Sequence, residues 1–419
     1  MLSFTALILW ITYFIGLFIL VFWFIVFFER GIENKNLKIR DYPSVSIAIP
    51  AYNEEITIKD TIDSLLNLDY PKELIEIIVV NDGSKDNTKA IVEKTIEENK
   101  QFNIVLINQK NSGKGAALNN ALRHAKGKFF VVLDADSMVR SDALKKILPV
   151  FREDKKIAVV LPLMRVKNTK TFLQKLQWCE YITNNFSKKL ITYLDCCHVA
   201  PGPFSVYRRD VIASVHGFSE NNLTEDLEMA LRLQEKNYRL VQVMNTVVYT
   251  KVPVNLKAFL KQRNRWYKGA LLNVIKYRRM LFNLDYGDFG IFHLPTVLFA
   301  AIISLTVLLV SVYNYLIIPG LQELKNIGAI NYDLPIVMGT WFKGISVMDF
   351  NVMNIFLAAA MFFILLCLIY FSYKSHQEKL SAFGYLPLIG YFFIYAFLIL
   401  ISWAWVFFDI ATGRKIQRW

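Results

Sequence analysis

Several short clusters in this chain carry side chains suited to chemistry, and each also has a plain structural reading. Asp134-Ala135-Asp136 sets two carboxylates one residue apart. Both can reach one divalent cation, and the cation can in turn hold a diphosphate. The alternative is a solvated loop ahead of a helix that begins near Ser141. Asn81-Asp82-Gly83-Ser84 fits an Asp-Gly turn that closes a strand. Gly113-Lys114-Gly115 precedes a helix, where backbone amides and a lysine suit a phosphate, although the spacing is not that of a Walker loop. Thr224-Glu225-Asp226 opens a helical pattern that runs to about Lys236. Thr as N-cap with acids in the first turn is ordinary helix chemistry. Its functional alternative makes one carboxylate a general base at a helix start. Gln262-Arg263-Asn264-Arg265-Trp266 lies on a basic segment. Trp and Arg there can anchor a membrane surface, or serve as a phosphate fork and a plate for a sugar ring. His124, His198, His216, His293 and His376 show no metal-ligand spacing and read as structural or surface groups.

The elements that must position these clusters follow from the hydrophobic pattern. Short apolar runs at 45–49, 75–80, 104–107 and 129–133 alternate with helical patterns at about 56–68, 86–98, 115–126 and 142–152. Strands alternating with helices predict a mostly parallel sheet covered on both faces. Ligands of such sheets sit beyond the carboxyl ends of the strands. Tyr52-Asn53-Glu54, Asn81-Asp82-Gly83 and Asp134-Ala135-Asp136 all fall there. After residue 165 the alternation weakens. Residues 171–194 read as an amphipathic helix, and residues 255–282 as a second one, with eight Lys or Arg and no acid. A basic amphipathic segment ahead of a long apolar run belongs in the membrane interface.

Composition places this α/β domain on a membrane. Of 419 residues, 54% are hydrophobic and 20% charged, which excludes a disordered chain. Residues 2–28, 291–322, 351–373 and 381–408 contain no Asp, Glu, Lys or Arg. Each run exceeds the roughly 20 apolar residues that cross about 30 Å of hydrocarbon. The first run lacks a basic leader and a small-residue cleavage site, so it reads as an uncleaved anchor. Arg30, Lys35, Lys38 and Arg40 follow it, which puts the large domain in the cytoplasm. The net charge of +13 fits basic cytoplasmic flanks, and no nucleic-acid-reading motif accompanies it. Cys179, Cys196, Cys197 and Cys367 lack paired spacing and read as reduced thiols. Topology does not close: one crossing before the domain and three after it leave the tail outside. Arg414, Lys415 and Arg418 prefer the inside. Either the stretch 334–350 enters the membrane and changes the parity, or the tail breaks the rule.

Taken in order, the clusters resemble the membrane-embedded family 2 glycosyltransferases, which include hyaluronan, chitin, cellulose and poly-N-acetylglucosamine synthases. The resemblance covers about residues 43–270: Pro50 to Glu54, the Asp82-Gly83 turn, Gly113 to Asn119, Asp134–Asp136, then Gly202, Pro203, Tyr207 and Arg208, Thr224–Asp226, and Gln262–Trp266. Asn81 departs from the Asp-Asp-Gly of many relatives, which weakens any inference about the nucleotide base.

The resemblance implies a Rossmann-like glycosyltransferase A fold for a cytoplasmic domain at 42–253. An N-terminal transmembrane helix at 1–30 precedes it. Interfacial helices at 254–290, a C-terminal transmembrane bundle at 291–410 and a basic tail at 411–419 follow. It implies inverting transfer from a UDP-sugar with Mg²⁺ or Mn²⁺ on Asp136 and Asp134. Asp226, with Glu225 beside it, would be the base. Tyr52, Glu54, Asp82, Lys114, Asp134 and Arg265 would hold the donor, and Gly202, Pro203, Gln262 and Trp266 the acceptor. The tail with Trp419 could fold over the donor. The expected product is an exported β-linked polysaccharide, made by a multi-pass plasma-membrane enzyme in contact with membrane lipids. The alternatives are transfer of one sugar to a membrane lipid, and a catalytically silent transporter or binding protein.

Overall fold

The structure is a computed structural model and describes residues 4–31, 37–313, 317–322 and 352–414. The stretch 334–350, Lys35, Lys415, Arg418 and Trp419 lie outside the described residues. The chain divides into two compact units, Met1–Gly31 with Val297–Phe371, and Ile32–Thr296 with Ser372–Trp419.

One eight-stranded sheet organises the second unit, with β1 at Val45–Ala51, β2 at Ile75–Asn81, β3 at Asn103–Asn108, β4 at Phe129–Val132, β5 at Met138–Val139, β6 at Ile157–Val166, β7 at Ser205–Arg208 and β8 at Arg239–Thr250. The order is β3-β2-β1-β4-β7-β6-β8-β5. The four strands at one end are parallel, as expected. The other half is mixed. β7 runs antiparallel to β4 and β6, β8 is parallel to β6, and β5 is antiparallel to β8. The expectation of a mostly parallel sheet is corrected there for physical reasons. β5 and β7 are too short to show a period, and Pro162 interrupts the pattern of β6. The register slips between Leu161 and Leu163, which is where a strand tolerates proline.

Residues alternate between the two faces of each strand. Ile47, Ile49, Ile77, Val79, Val131 and Leu133 pack on Ile58, Ile62 and Leu65 of helix α2, Ile58–Leu66. Ala48, Ile78, Val80, Phe130 and Val132 face the other way, toward Ala117, Leu118 and Ala121 of helix α4, Lys114–His124. Helix α3, Thr88–Glu98, and α5, Ala143–Ile147, complete the alternating half.

Helix α6, Phe172–Thr192, starts at a capping box in which Thr171 and Gln174 serve each other's backbone amides. Helix α7, Arg209–Ser214, and α8, Glu225–Glu235, follow. Helix α9, Leu256–Lys276, is capped by the Asn255 side chain. It ends six residues short of the expected 282, in a 3₁₀ turn at Arg278–Met280.

The first unit contains α1, Phe4–Arg30, with most of α10, Leu294–Val312, and of α11, Val352–Ser375. Phe27 of α1 meets Phe371 of α11 at 4.6 Å between ring centroids. Helix α12, Leu386–Gly390, runs through a π turn at Tyr391–Tyr395 into α13, Ala396–Ala411. Among the described residues three helices are long and apolar enough to cross a membrane: Trp10–Arg30, Ile355–Ser375 and Leu386–Ala411.

Candidate active site

The loops that leave the carboxyl ends of β1, β2, β3 and β4 converge at one edge of the sheet. Tyr52, half-buried, and Asn53 follow β1, and Asn53 takes a left-handed φ of 55°. Its backbone amide donates to Ser84 Oγ at 3.0 Å, and its side-chain oxygen accepts from the Lys85 amide at 2.8 Å. The Glu54 amide donates to Thr88 Oγ1 at 2.8 Å. These bonds zip the first and second loops together. Burial raises the Glu54 carboxyl above its ordinary range, although Thr57 donates to it at 2.6 Å and opposes the shift.

Asp82 is fully buried, and its carboxylate is spent on the neighbouring loop. Oδ1 accepts from Gln109 Nε2 at 2.8 Å and from the Ser112 amide at 2.9 Å, while Oδ2 accepts from the Gly113 amide at 2.9 Å. Asp82 therefore shapes the loop that delivers Lys114. Gly113 stands at φ 89°, left-handed backbone that disfavours any other residue, and hands the chain into α4.

Lys114 is the hub of the cluster. Its ammonium lies 2.7 Å from Asp134 Oδ1 and 3.1 Å from Glu225 Oε1, at 17% side-chain exposure. Burial opposes its charge, but Asp134, Glu225 and Asp226 outweigh burial and hold its pKa above the usual lysine value. Gly202 presses on the same carboxylate: a Cβ built there would collide with the Asp134 carboxylate. Any side chain at 202 displaces Asp134. Pro203 beside it is buried.

Asp136 accepts a hydrogen bond from Ser137 Oγ at 3.0 Å. Burial pushes its carboxyl up to about 6, and the charge of Asp134 adds to the shift. Among the described residues no group of three or more His, Cys, Asp or Glu forms a closed metal cage. Mg²⁺ commonly takes one or two carboxylates and completes its shell with water and substrate phosphates. The buried carboxyl of Asp136 beside the partly exposed Asp134 fits a cation that arrives with a diphosphate.

Asp226 sits in the first turn of α8. Burial pushes its carboxyl up to about 6, Glu225 adds to this, and Lys114 and Arg265 oppose it. Helix α9 holds this turn in place. Asn222 and Asn273 exchange side-chain hydrogen bonds at 2.7 and 3.1 Å, and Asn273 also donates to Thr224 Oγ1 at 3.0 Å. Lower on α8, Glu228 accepts from Lys276 at 2.8 Å and from the Tyr277 hydroxyl at 2.7 Å.

Arg265 lines a narrow cavity with Lys114, Glu225 and Asn222, so α9, the start of α4 and the start of α8 share one space. Gln262 presents a buried amide oxygen with no partner among the described residues. Trp266 is half-buried, and the Arg263 guanidinium covers it at 4.4 Å. A wider cavity of about 480 Å³ lies far from these groups, between Lys128, Phe129 and Arg208–Asp210. Arg208 and Arg209 there are committed to the carbonyls of Ile157 and Ala125, at 2.8 and 2.5 Å.

Sequence reasoning missed three supports. Arg263 pairs with Glu180 at 2.6 Å, with 2% and 8% of the two side chains exposed. Glu180 is the lone acid of α6, which was the available signal. The Asn222–Asn273 pair had no signal, because asparagines 51 positions apart carry no period. Asn119 clasps the 217–220 loop through the Phe218 backbone and Glu220, at 2.7 to 2.9 Å.

Known proteins resemble this chain in sequence and fold. Residues 46–215 match the family model described as "Glycosyl transferase family 2". The later clusters, Thr224–Asp226 and Gln262–Trp266, lie beyond that match. A probable glycosyltransferase, YdaM of Bacillus subtilis (strain 168), is 30% identical over 285 residues, which are 63% of this chain and 66% of the relative. The poly-beta-1,6-N-acetyl-D-glucosamine synthase of Staphylococcus aureus (strain COL) is 30% identical over 267 residues, 61% of this chain and 64% of the relative. The chain thus spans slightly less than two thirds of the length of these curated relatives. Among solved structures, the mannosyltransferase PcManGT from Pyrobaculum calidifontis, in complex with GDP-Man and Mn²⁺, superposes with a TM-score of 0.55 at 21% identity. That match covers 67% of this chain and 76% of the mannosyltransferase. The fold is of the glycosyltransferase A type, and residues 46–215 are similar to the family 2 glycosyltransferases whose model they match.

Proposed function

We propose that the protein is a membrane-bound, inverting glycosyltransferase that takes a UDP-sugar and builds a β-linked polysaccharide by repeated addition. One observation carries the reading: Lys114 bridges Asp134 and Glu225, which joins a carboxylate pair at the sheet edge to the start of α8. Two reaction partners need such a join, because the donor leaves with negative charge while the acceptor loses a proton nearby. Asp226 takes the proton of the acceptor hydroxyl, whose own pKa is too high for unaided attack. Its partly protonated character near pH 6 suits it to exchange protons close to neutrality. The oxygen freed of its proton attacks the anomeric carbon from the face opposite the nucleotide, the bond to the diphosphate breaks, and the configuration inverts. Lys114 and Arg265 face the diphosphate and offset its charge. A divalent cation on Asp134 and Asp136 supplies further charge neutralisation there when bound. Tyr52, Glu54 and the loop pinned by Asp82 hold the nucleoside.

The acceptor lies along Gly202, Pro203, Gln262 and Trp266. The domain at 42–253 faces the cytoplasm of the plasma membrane, α9 lies at the interface, and the growing chain leaves through the apolar helices. The relative named as a poly-beta-1,6-N-acetyl-D-glucosamine synthase supports polymer over single transfer to a lipid. Product sizing tests this: purified protein in liposomes receives one UDP-sugar in excess with Mg²⁺ or Mn²⁺. A ladder or polymer that a β-glycosidase digests is expected. A monoglycosylated lipid alone, with every donor tried, overturns the polymer reading.

A further inference from the structure

We infer that the apolar stretch Leu386–Ala411 does not cross the membrane but lies against the leaflet that faces the catalytic domain, with lipid as the partner of its outer face. By length and composition it qualifies as a crossing: 26 residues extend about 39 Å at a helical rise. A crossing helix has its ends on opposite sides of about 30 Å of hydrocarbon. Only one of those ends can then be bonded to a water-side domain.

Here both ends are bonded to it. Ahead of the stretch, Arg165 at the end of β6 donates to the His376 carbonyl at 2.7 Å and pairs with Glu378 at 3.3 Å. Ser372 Oγ donates to the Ile182 carbonyl of α6 at 2.9 Å, and Trp178 packs edge-on against Tyr373 and Phe383. Beyond the stretch, Lys268 of α9 donates to the Arg414 carbonyl at 2.6 Å, and near its end Asn264 donates to Asp409 at 3.1 Å.

Contacts also run along its length. The Thr183 and Tyr391 hydroxyls bond at 2.8 Å, Phe259 meets Tyr395 at 5.7 Å, and Tyr267 stacks on Trp403 at 4.8 Å. A helix that left the domain surface to cross a bilayer would lose these ties within a few turns. This one follows α6 and α9 from end to end. Burying α9 with it in hydrocarbon would take Lys257, Lys261, Arg265 and Lys268 along, which the bilayer strongly resists.

The two faces of the stretch agree. Tyr395, Ser402, Val406 and Asp409 are buried, whereas Phe393, Phe397 and Phe408 are 69%, 58% and 54% exposed. Lipid is the solvent that covers such a face, and the acid-free α9 beside it suits anionic headgroups. The parity problem also closes. Three charge-free runs remain as crossings, and they bring the chain back to the catalytic side, where Arg414 belongs by the positive-inside rule.

The inference rests on the cytoplasmic placement of the catalytic domain, and the test separates the two. Cysteines are placed at the exposed positions Asp60, Ser381 and Thr412 in a Cys367→Ser background, and intact cells are treated with an impermeant maleimide. All three are expected to label only after permeabilisation. Thr412→Cys or Ser381→Cys labelled from outside, with Asp60→Cys protected, overturns the in-plane helix. Asp60→Cys labelled from outside overturns the cytoplasmic placement instead. A green fluorescent protein fused after Trp419 repeats the test on the unsubstituted sequence. Fluorescence is expected, and its absence from a stably expressed fusion contradicts the inference.

Discussion

The donor edge and the helical floor of this protein are built on different principles. At the donor edge, main-chain turns hold the side chains: Asn53 and Ser84 tie two loops, and Asp82 pins a third. The charged groups there face one another, and Lys114 is outnumbered by Asp134, Asp136, Glu225 and Asp226. The floor of α6 and α9 is instead held by polar side chains that pair over long range, Arg263 of α9 with Glu180 of α6, and Asn273 of α9 with Asn222 in the loop ahead of α8. A charge surplus in a partly buried cleft shifts pKa values, which suits it to the proposed reaction. A neutralised pair serves position. Substitutions at the edge should therefore alter rate with little loss of stability, and substitutions in the floor should do the reverse.

The largest contrast is expected from Asp226→Asn against Glu180→Ala. Asp226→Asn removes proton acceptance and should lower kcat on the order of 10²–10⁴-fold. UDP binding by calorimetry and the melting temperature should stay near the parent values. Glu180→Ala leaves the Arg263 charge buried without its partner, which is expected to cost about 3–5 kcal/mol of stability. A thermal-shift series in detergent reads this directly, and an unchanged melting temperature breaks the comparison.

Asn273→Ala tests the join between the two regions, with an expected loss of about 1–3 kcal/mol from the unpaired Asn222 and Thr224. Because those partners fix the first turn of α8, kcat should fall while KM for the donor holds. Trp266→Ala should do least, about 0.5–1.5 kcal/mol of stacking beyond area burial. It should shorten the product more than it slows hydrolysis of the donor.

Much of the parallel half of the sheet, with the loops at its edge, was legible in the sequence. The strand-loop-helix alternation through residue 133 is local, so apolar runs and the polar residues after them announce both the elements and the edge they share. The antiparallel half was not legible. Ser205–Arg208 is only four residues long, and Pro162 disguises β6, because long-range pairing decides those strands. The site residues were readable as types, but their grouping was not. That Lys114 reaches Glu225, 111 positions away, is a property of the fold. Asp82 shows the converse, since its two carboxylate oxygens turn inward to the 109–113 loop.

The pH dependence sharpens the chemical side of the comparison. Asp226 must be ionised to accept a proton, and burial sets its carboxyl near 6. The kcat profile should therefore rise through about pH 6 and level off above it. A rate that is flat down to pH 4.5 removes Asp226 as the base.

The central claim is glycosyl transfer by the cluster around Lys114, and release of the nucleoside diphosphate tests it most directly. Purified protein is offered a panel of UDP-sugars and GDP-mannose with Mg²⁺ or Mn²⁺, beside Asp226→Asn and an EDTA control. The account predicts UDP release from at least one UDP-sugar, abolished by chelation, restored by added Mg²⁺ or Mn²⁺, and reduced at least 10²-fold in Asp226→Asn. Full turnover in EDTA, undiminished turnover by Asp226→Asn, or no release from any donor would contradict it.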